Sequence, residues 1–298
     1  MKIAVTTPTG HVGGAVGFFL LNAGANVRLL TRRPEKLKEF ADRGAEILRG
    51  PQDDQDFVNR STQGVDALLW VTPPGYGSDD VRAFQTRLGK VAAEAIRINR
   101  IPRVVNISSI GAQNFEGVGP IGGLHDVEQL LDETAENILQ LRPGFFYENY
   151  FWFLDGIRKM GSVFMPVSGS TRYPMLATRD VARVAADWLL NAKWTGHVVR
   201  ELHGPKELSF DEAAAELSEG MHREIRHVKI DRDQARQTMM ETGMSDNAVD
   251  LMLELYDAIE TGMLTYIQPI TAETRTSTEL VDFAREVLLP VIGEPVPH

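Results

Sequence analysis

The stretch IAVTTPTGHVGGAV at residues 3–16 constrains this chain more than any other: an apolar, β-branched strand meets a glycine-bearing turn, and a helical pattern begins at once. Gly10 and Gly13 let backbone approach an anion closely. The N-terminus of the helix that follows offers unbonded N–H groups and the positive end of its dipole. With a second strand at the expected distance, such a turn points to nucleotide binding; the alternative is a tight strand–helix turn with no ligand. Thr7 stands where a first glycine is expected. The turn closes if Thr7 ends the strand in an extended conformation and Pro8 sets the next φ.

The pattern continues as alternation. Strands are expected at Lys2–Thr7, Asn26–Thr31, Ala45–Arg49, Asp66–Val71, Arg103–Ser108 and Asn137–Arg142, with helices near 12–23, 34–43, 53–62, 78–99 and 123–134. In the fourth helix Val81, Phe84, Leu88, Val91, Ala95 and Ile98 recur at helical spacing and predict its buried face. Strands that are apolar throughout and alternate with helices imply a parallel sheet covered on both sides, a doubly wound Rossmann-type α/β fold. Beyond Pro143 the rhythm changes. An aromatic run (Phe145–Phe153) leads into a Gly/Ser/Thr stretch at 161–171. A helix at Asp180–Asn191 and a strand at His197–Leu202 are expected to return to the sheet. Ser209 with Glu212 reads as a capping box opening the next helix. A strand at Glu224–Ile230 and helices near 231–242, 245–261 and 276–288 complete the chain. The expected division is a nucleotide-binding domain at 1–152 and a smaller, mostly helical C-terminal substrate domain at 153–298, with 180–202 returning to the sheet.

Composition narrows the function classes. A net charge of −10 over 298 residues argues against a dedicated nucleic-acid binder, which needs a basic face. The absence of cysteine excludes disulfides, thiol catalysis and cysteine-ligated metals. No apolar run approaches the roughly 20 residues that span a bilayer. The N-terminal apolar segment reads as the first strand rather than a signal peptide, so the expected location is the cytoplasm, with no membrane partner. Gly-x-x-x-x-Gly-Lys, Gly-x-Ser-x-Gly and His-Glu-x-x-His are all missing, and no metal site is expected.

The second strand ends in LLTRRPEK. A carboxylate here would bind the ribose 2′-hydroxyl of NAD. Arg32, Arg33 and Lys36 instead suit the 2′-phosphate of NADP, although charge at a helix start is also common on plain surfaces.

These blocks, with GAEILRGPQDD, LLWVTPP, RVVNISSIGA, LQLRPGFFYENY, TRDVA at 178–182 and GPKELSFDEAAAELSEGM, resemble the NmrA-like family of atypical short-chain dehydrogenases/reductases. The C-terminal TGMSDNAVDLMLELYDAIETG is similar to the NADPH-dependent quinone and triphenylmethane-dye reductases of that branch. The resemblance implies Gly10, His11, Val12 and Gly13 at the pyrophosphate beside Thr7, and Arg32, Arg33 and Lys36 at the 2′-phosphate. It places Thr72 and Pro73 along the cofactor and Pro143, Gly144 and Phe145 beside the nicotinamide. Ser108 reads as a further cofactor contact. Tyr76, Phe146 and Tyr147 are the candidates for lining a substrate pocket. Two departures weaken the match: Thr7, and Pro51 in place of the aspartate that follows glycine in the family and helps hold adenine.

The Tyr-x-x-x-Lys pair of a typical short-chain dehydrogenase is missing, and Leu124 occupies the position where relatives carry Lys or His. His125, next to it, can serve as the acid only if its helix starts one residue differently; a cap or surface role is the bland alternative. General acid catalysis contributes about 10²–10⁴-fold, so the expected substrates are those that need it least. A quinone yields a stabilised phenolate, and a cationic dye takes hydride without a proton. The expectation is an NADPH-dependent reductase transferring hydride directly to a small planar aromatic or quinone-like substrate. The rival readings are a non-catalytic NADP(H) sensor acting through a protein partner, and a structural protein that has lost its nucleotide. Five of the ten methionines lie between Met239 and Met263, as a lid or as ordinary helix packing.

Overall fold

A computed structural model describes residues 1–292. Its centre is a seven-stranded, wholly parallel sheet: β1 (Lys2–Thr6), β2 (Asn26–Thr31), β3 (Glu46–Arg49), β4 (Ala67–Val71), β5 (Val104–Ile107), β6 (Ile138–Pro143) and, from later in the chain, His197–Leu202. From one edge the order is His197–Leu202, β6, β5, β4, β1, β2, β3, so strand order reverses between β1 and β4. The sheet is a doubly wound Rossmann fold, and its crevice lies at that reversal.

Successive side chains of a strand point to opposite faces, and here both faces are buried. Ile3, Val5, Leu29, Leu69, Ile107 and Leu141 pack on one side against α1 (His11–Asn22) and against Thr178–Leu190. Ala4, Leu30, Leu68, Trp70, Val104 and Ile138 pack on the other against α3 (Gln55–Ser61), α4 (Val81–Asn99) and α5 (Ile121–Asp132); the short α2 (Lys38–Asp42) follows β2. The largely apolar central strands are the sign of a sheet covered on both sides. The buried face of α4 is rotated from its expected course: Ile98 is 48% exposed, and Gln85, Ala92 and Ile96 are buried in addition to Val81, Leu88, Val91 and Ala95. Ile96 turns inward one residue before the chain reaches Arg97, which pairs outward with Glu94.

Past β6 the chain forms β7 (Phe145–Phe146), a 3₁₀ segment (Tyr147–Phe153), α6 (Leu154–Met160), β8 (Ser162–Met165), β9 (Arg172–Leu176), α7 (Thr178–Leu190), β10 (His197–Leu202), β11 (Glu207–Ser209), α8 (Phe210–Met221), β12 (Arg226–Lys229), α9 (Arg232–Glu241), α10 (Asp246–Glu260) and α11 (Leu280–Phe283). β10 pairs in parallel with β6 over its full length, which returns α7 and β10 to the main sheet. The remaining strands make two small sheets, β11-β9-β7 and β12-β8. Of these strands only β12 falls where the sequence patterns indicated one; the others are two to five residues long and lie in segments whose aromatic and Gly/Ser/Thr content masked the alternation. The capping box on α8 is present, with Ser209 Oγ accepting from Glu212 N and Glu212 accepting from Ser209 N. The last expected helix starts later, at Leu280 rather than 276. A separate core gathers Tyr147, Tyr150, Leu154, Phe210, Leu217 and Phe283. Among the five methionines read as a lid or as ordinary helix packing, Met252 is buried in it, Met239 and Met244 pack on its surface, and Met240 and Met263 are exposed. No helix among the described residues is long and apolar enough to cross a membrane.

Candidate functional site

The turns after β1, β2, β4, β5 and β6 all leave the same edge of the parallel sheet. At the reversal point Thr6 splints the two diverging strands: its hydroxyl accepts Val71 N–H at 2.9 Å and donates to the carbonyl of Leu69 at 3.2 Å. The next residue corrects the expectation. Thr7 is not extended but left-handed, with φ 49°. That conformation is costly for a β-branched residue and is why glycine is the usual occupant. The turn closes because Gly10 N–H donates to the carbonyl of Thr7 at 3.0 Å.

Gly10 and Gly13 serve different ends. A Cβ on Gly13 would lie 2.4 Å from the Thr7 carbonyl oxygen and 2.7 Å from that of Thr6, so the helix could not sit against the strand. A Cβ on Gly10 would meet nothing nearer than 3.5 Å, and its φ of −94° suits any residue. The protein itself does not need glycine at 10. Its bareness leaves the N-terminus of α1 open, with no capping side chain and no acidic residue in the first turn, and the free N–H groups there suit an anion.

Arg32, Arg33 and Lys36 are exposed beyond the end of β2, and none of their side chains has an ion-pair or hydrogen-bond partner among the described residues. Thr72 is buried, with Trp70 Nε1 donating to its hydroxyl at 3.2 Å, and Pro73 follows half-buried. Ser108, directly after β5, has a buried hydroxyl with no partner among the described residues, and the Thr7 hydroxyl is in the same condition. A bare helix N-terminus, three unpaired cations and an unpartnered buried hydroxyl along one sheet edge fit a dinucleotide with a 2′-phosphate.

At the end of β6, Pro143 is buried and its carbonyl accepts Ile110 N–H, while a Cβ on Gly144 would collide with the carbonyl of Pro174 at 2.3 Å. Phe145 and Phe146 are half-buried. Phe145 packs edge-on against Tyr150 and Phe210, and Phe146 lies against the sheet core. Tyr147 is not part of this group: it is fully buried, packs at a tilt against Phe283, and donates its hydroxyl to the carbonyl of Thr278 at 3.3 Å. In the 3₁₀ segment its side chain turns away from the sheet edge into the C-terminal core. Tyr76 is half-buried 5.9 Å from Trp152 in an edge-on pair, and burial pushes its hydroxyl up to about 12.

Position 124 lies one turn from Glu128 on the same face of α5. Glu128 is buried against Arg142 of β6, and Leu124, half-buried, is the residue one turn before it. His125, the next residue, is tied to the turn after β5. Its Nδ1 donates to the carbonyl of Ala112 at 2.8 Å, and its ring leans on Phe115.

Two contacts were invisible at the level of motifs. His11, on the first turn of α1, stacks parallel to Phe151 with centroids 5.8 Å apart and 3° between planes. Glu148 caps α7, accepting Thr178 N–H at 3.0 Å and Thr178 Oγ1–H at 2.6 Å. Burial lifts its carboxyl above the usual range, against the pull of those bonds. His11 joins α1 to the aromatic segment, and Glu148 joins that segment to the start of α7, each across a long separation in sequence.

The NmrA-like family profile matches residues 1–282. The NAD(P)H azoreductase of Xenophilus azovorans is 30% identical over 256 residues, 85% of this chain and 86% of the azoreductase. The triphenylmethane reductase of Citrobacter sp. superposes with a TM-score of 0.81 at 21% identity, covering 97% of this chain and 100% of its own. The NADPH-dependent quinone oxidoreductase of Escherichia coli, solved with NADPH, gives a TM-score of 0.81 at 19% identity, over 96% of this chain and 99% of its own. With that match extending over nearly the whole chain, the protein belongs to the NmrA-like family.

Proposed function

We propose that the protein is an NAD(P)H-dependent oxidoreductase that prefers NADPH and passes hydride directly to a quinone-like or planar aromatic electrophile. The observation that carries the reading is the trio Arg32, Arg33 and Lys36, exposed and unpaired where a Rossmann site meets the adenosine ribose. The names of the relatives, an azoreductase and a quinone oxidoreductase, support the same chemistry.

When bound, the reduced nicotinamide supplies the hydride. The chain supplies position: the N-terminus of α1 holds the pyrophosphate, the basic trio holds the 2′-phosphate, and Ser108 offers its free hydroxyl. Trp152, 53% exposed, and Tyr76 present an apolar face for a flat acceptor. Leu124 carries no proton to give, and His125 commits its Nδ1 to the carbonyl of Ala112. Simple ketones would therefore lose the acid's contribution, while quinones and cationic dyes would not, and orientation is the main catalytic device.

The test is a fluorescence titration of cofactor-free protein with NADPH and NADH, followed by NADPH oxidation against a panel of quinones, azo dyes and simple ketones. Tighter NADPH binding, and turnover confined to the conjugated acceptors, is expected. Binding without turnover of any acceptor would favour a sensor.

A further inference from the structure

The turn after β3 carries a hydrogen-bond acceptor with no partner. Gln52 is half-buried, and its Nε2 donates to the carbonyl of Val71, the last residue of β4, at 3.0 Å. A carbonyl oxygen accepts only from a donor, so the amide orientation follows from chemistry: Nε2 faces Val71 and Oε1 faces away. Oε1 has no partner among the described residues. The backbone of the turn, tied to β2 by Gly50, carries Gln52 past the ends of the strands between β3 and β4, and its side chain bonds the last residue of β4.

The backbone that carries it is held on both sides. Gly50 N–H donates to the carbonyl of Thr31 at 2.9 Å, tying the turn to β2. A Cβ on Gly50 would come within 2.4 Å of the Phe57 ring, so glycine is what lets the turn lie against α3. Asp54 N–H bonds the carbonyl of Pro51, and the Asp54 carboxylate caps α3 through Phe57 N–H.

A dinucleotide on a doubly wound sheet lies across the reversal point, with its pyrophosphate on the first helix and its adenosine ribose at the end of the second strand. In this chain those places are Gly10 and Arg32–Arg33. The base on that ribose then lies toward the turns after β3 and β4, which Gln52 joins. An acceptor fixed there favours a base edge carrying a donor. We propose that Gln52 Oε1 accepts a hydrogen bond from the exocyclic amine of adenine and makes the site selective for a 6-amino over a 6-oxo purine dinucleotide. This rests on the NADPH reading above. Pro51, beside it, has neither a side-chain acceptor nor an N–H, and Gln52 supplies the acceptor one residue later.

The experiment is a set of fluorescence titrations with NADPH and its hypoxanthine analogue on the wild-type protein, Gln52→Ala and Arg33→Ala. Wild type is expected to bind NADPH about tenfold more tightly, because the analogue loses one hydrogen bond and sets two acceptors face to face. Gln52→Ala is expected to bring the ratio to about one, and Arg33→Ala to weaken both nucleotides while keeping the ratio. Equal wild-type affinities would overturn the proposal and leave the NADPH reading standing, and this arm needs no variant to fold. A Gln52→Ala protein that weakens both nucleotides at an unchanged ratio would also overturn it, by making the side chain merely structural. No wild-type binding of NADPH would overturn the cofactor reading and this one with it.

Discussion

The carbonyl oxygen of Thr7 occupies the space a side chain on Gly13 would need, 2.4 Å from its Cβ position. The turn proposed to open the nucleotide site is therefore also the contact that seats α1 on β1, and on that proposal binding and folding make separate demands on its two glycines.

Gly13→Ala and Gly10→Ala should separate those demands. Overpacking against backbone costs about 1–3 kcal/mol or more, so Gly13→Ala is expected to lower the urea midpoint clearly. Gly10→Ala has room and ordinary φ, so stability should change by less than about 0.5 kcal/mol while NADPH binding weakens at least tenfold. Unchanged NADPH affinity in Gly10→Ala would remove the pyrophosphate from the N-terminus of α1.

Thr7 holds a left-handed φ that costs an L-residue about 1–2 kcal/mol. Glycine relieves this strain and removes an unpartnered buried hydroxyl, offset by a larger unfolded-state entropy of about 0.5–1 kcal/mol. Thr7→Gly should be as stable as wild type or up to about 1 kcal/mol more so by denaturant unfolding. A markedly less stable variant would mean that the threonine side chain contributes something other than strain.

Removing Arg32 and Arg33 together should reduce the preference for NADPH over NADH by one to two orders of magnitude, since each charge-assisted bond to a phosphate contributes about 1.5–3 kcal/mol in partly shielded surroundings and less in the open. NADH affinity should barely move. Equal losses for the two cofactors, read in parallel titrations, would deny the pair its role at the 2′-phosphate.

Arg142 at the end of β6 and Glu128 of α5 form a buried two-point ion pair, Nε to Oε1 at 2.9 Å. Breaking such a pair leaves one charge uncompensated, at a cost of about 3–5 kcal/mol. Glu128→Ala should show that loss in chemical denaturation, and Glu128→Leu with Arg142→Met should recover most of it. A double variant no better than the single would argue against an uncompensated charge as the cause.

Glu260 accepts bonds from Ser168 N–H at 2.6 Å, Lys229 Nζ at 2.8 Å and Thr171 Oγ1 at 3.1 Å. Burial alone would raise its carboxyl, but these donors outweigh it and hold the group at about 2. Because the folded value lies below the unfolded one, the contribution is full above the usual carboxylate value of about 4.3 and is lost as pH falls from there toward about 2. At about 1.4 kcal/mol per unit, reduced for solvent screening, it is worth about 2 kcal/mol. Glu260→Gln should destabilise the protein at pH 7 by that order and flatten the acid limb of its stability curve. An acid limb identical to that of wild type would exclude Glu260 as its source.

Much of this could be read from the chain alone. Residue chemistry repeated at the right period is a local property, so the parallel sheet, the glycine turn, the capping box at Ser209 and the basic end of β2 were legible without coordinates. The family blocks carried the cofactor class for the same reason.

Tertiary structure decided everything that depends on where a side chain turns after its element is placed. It set Thr7 left-handed, because the strand must reverse into a helix whose Gly13 has no side chain to prevent close packing. It sent Tyr147 into the core and left Trp152 at the surface, although both sit in one aromatic run, because a 3₁₀ segment spreads neighbours around its axis. It brought His11 to Phe151 and Gln52 to Val71 across gaps in sequence that no spacing rule bridges. Periodicity encodes which face of an element is buried. Only the packing of elements determines what that face, and the turns between, will meet.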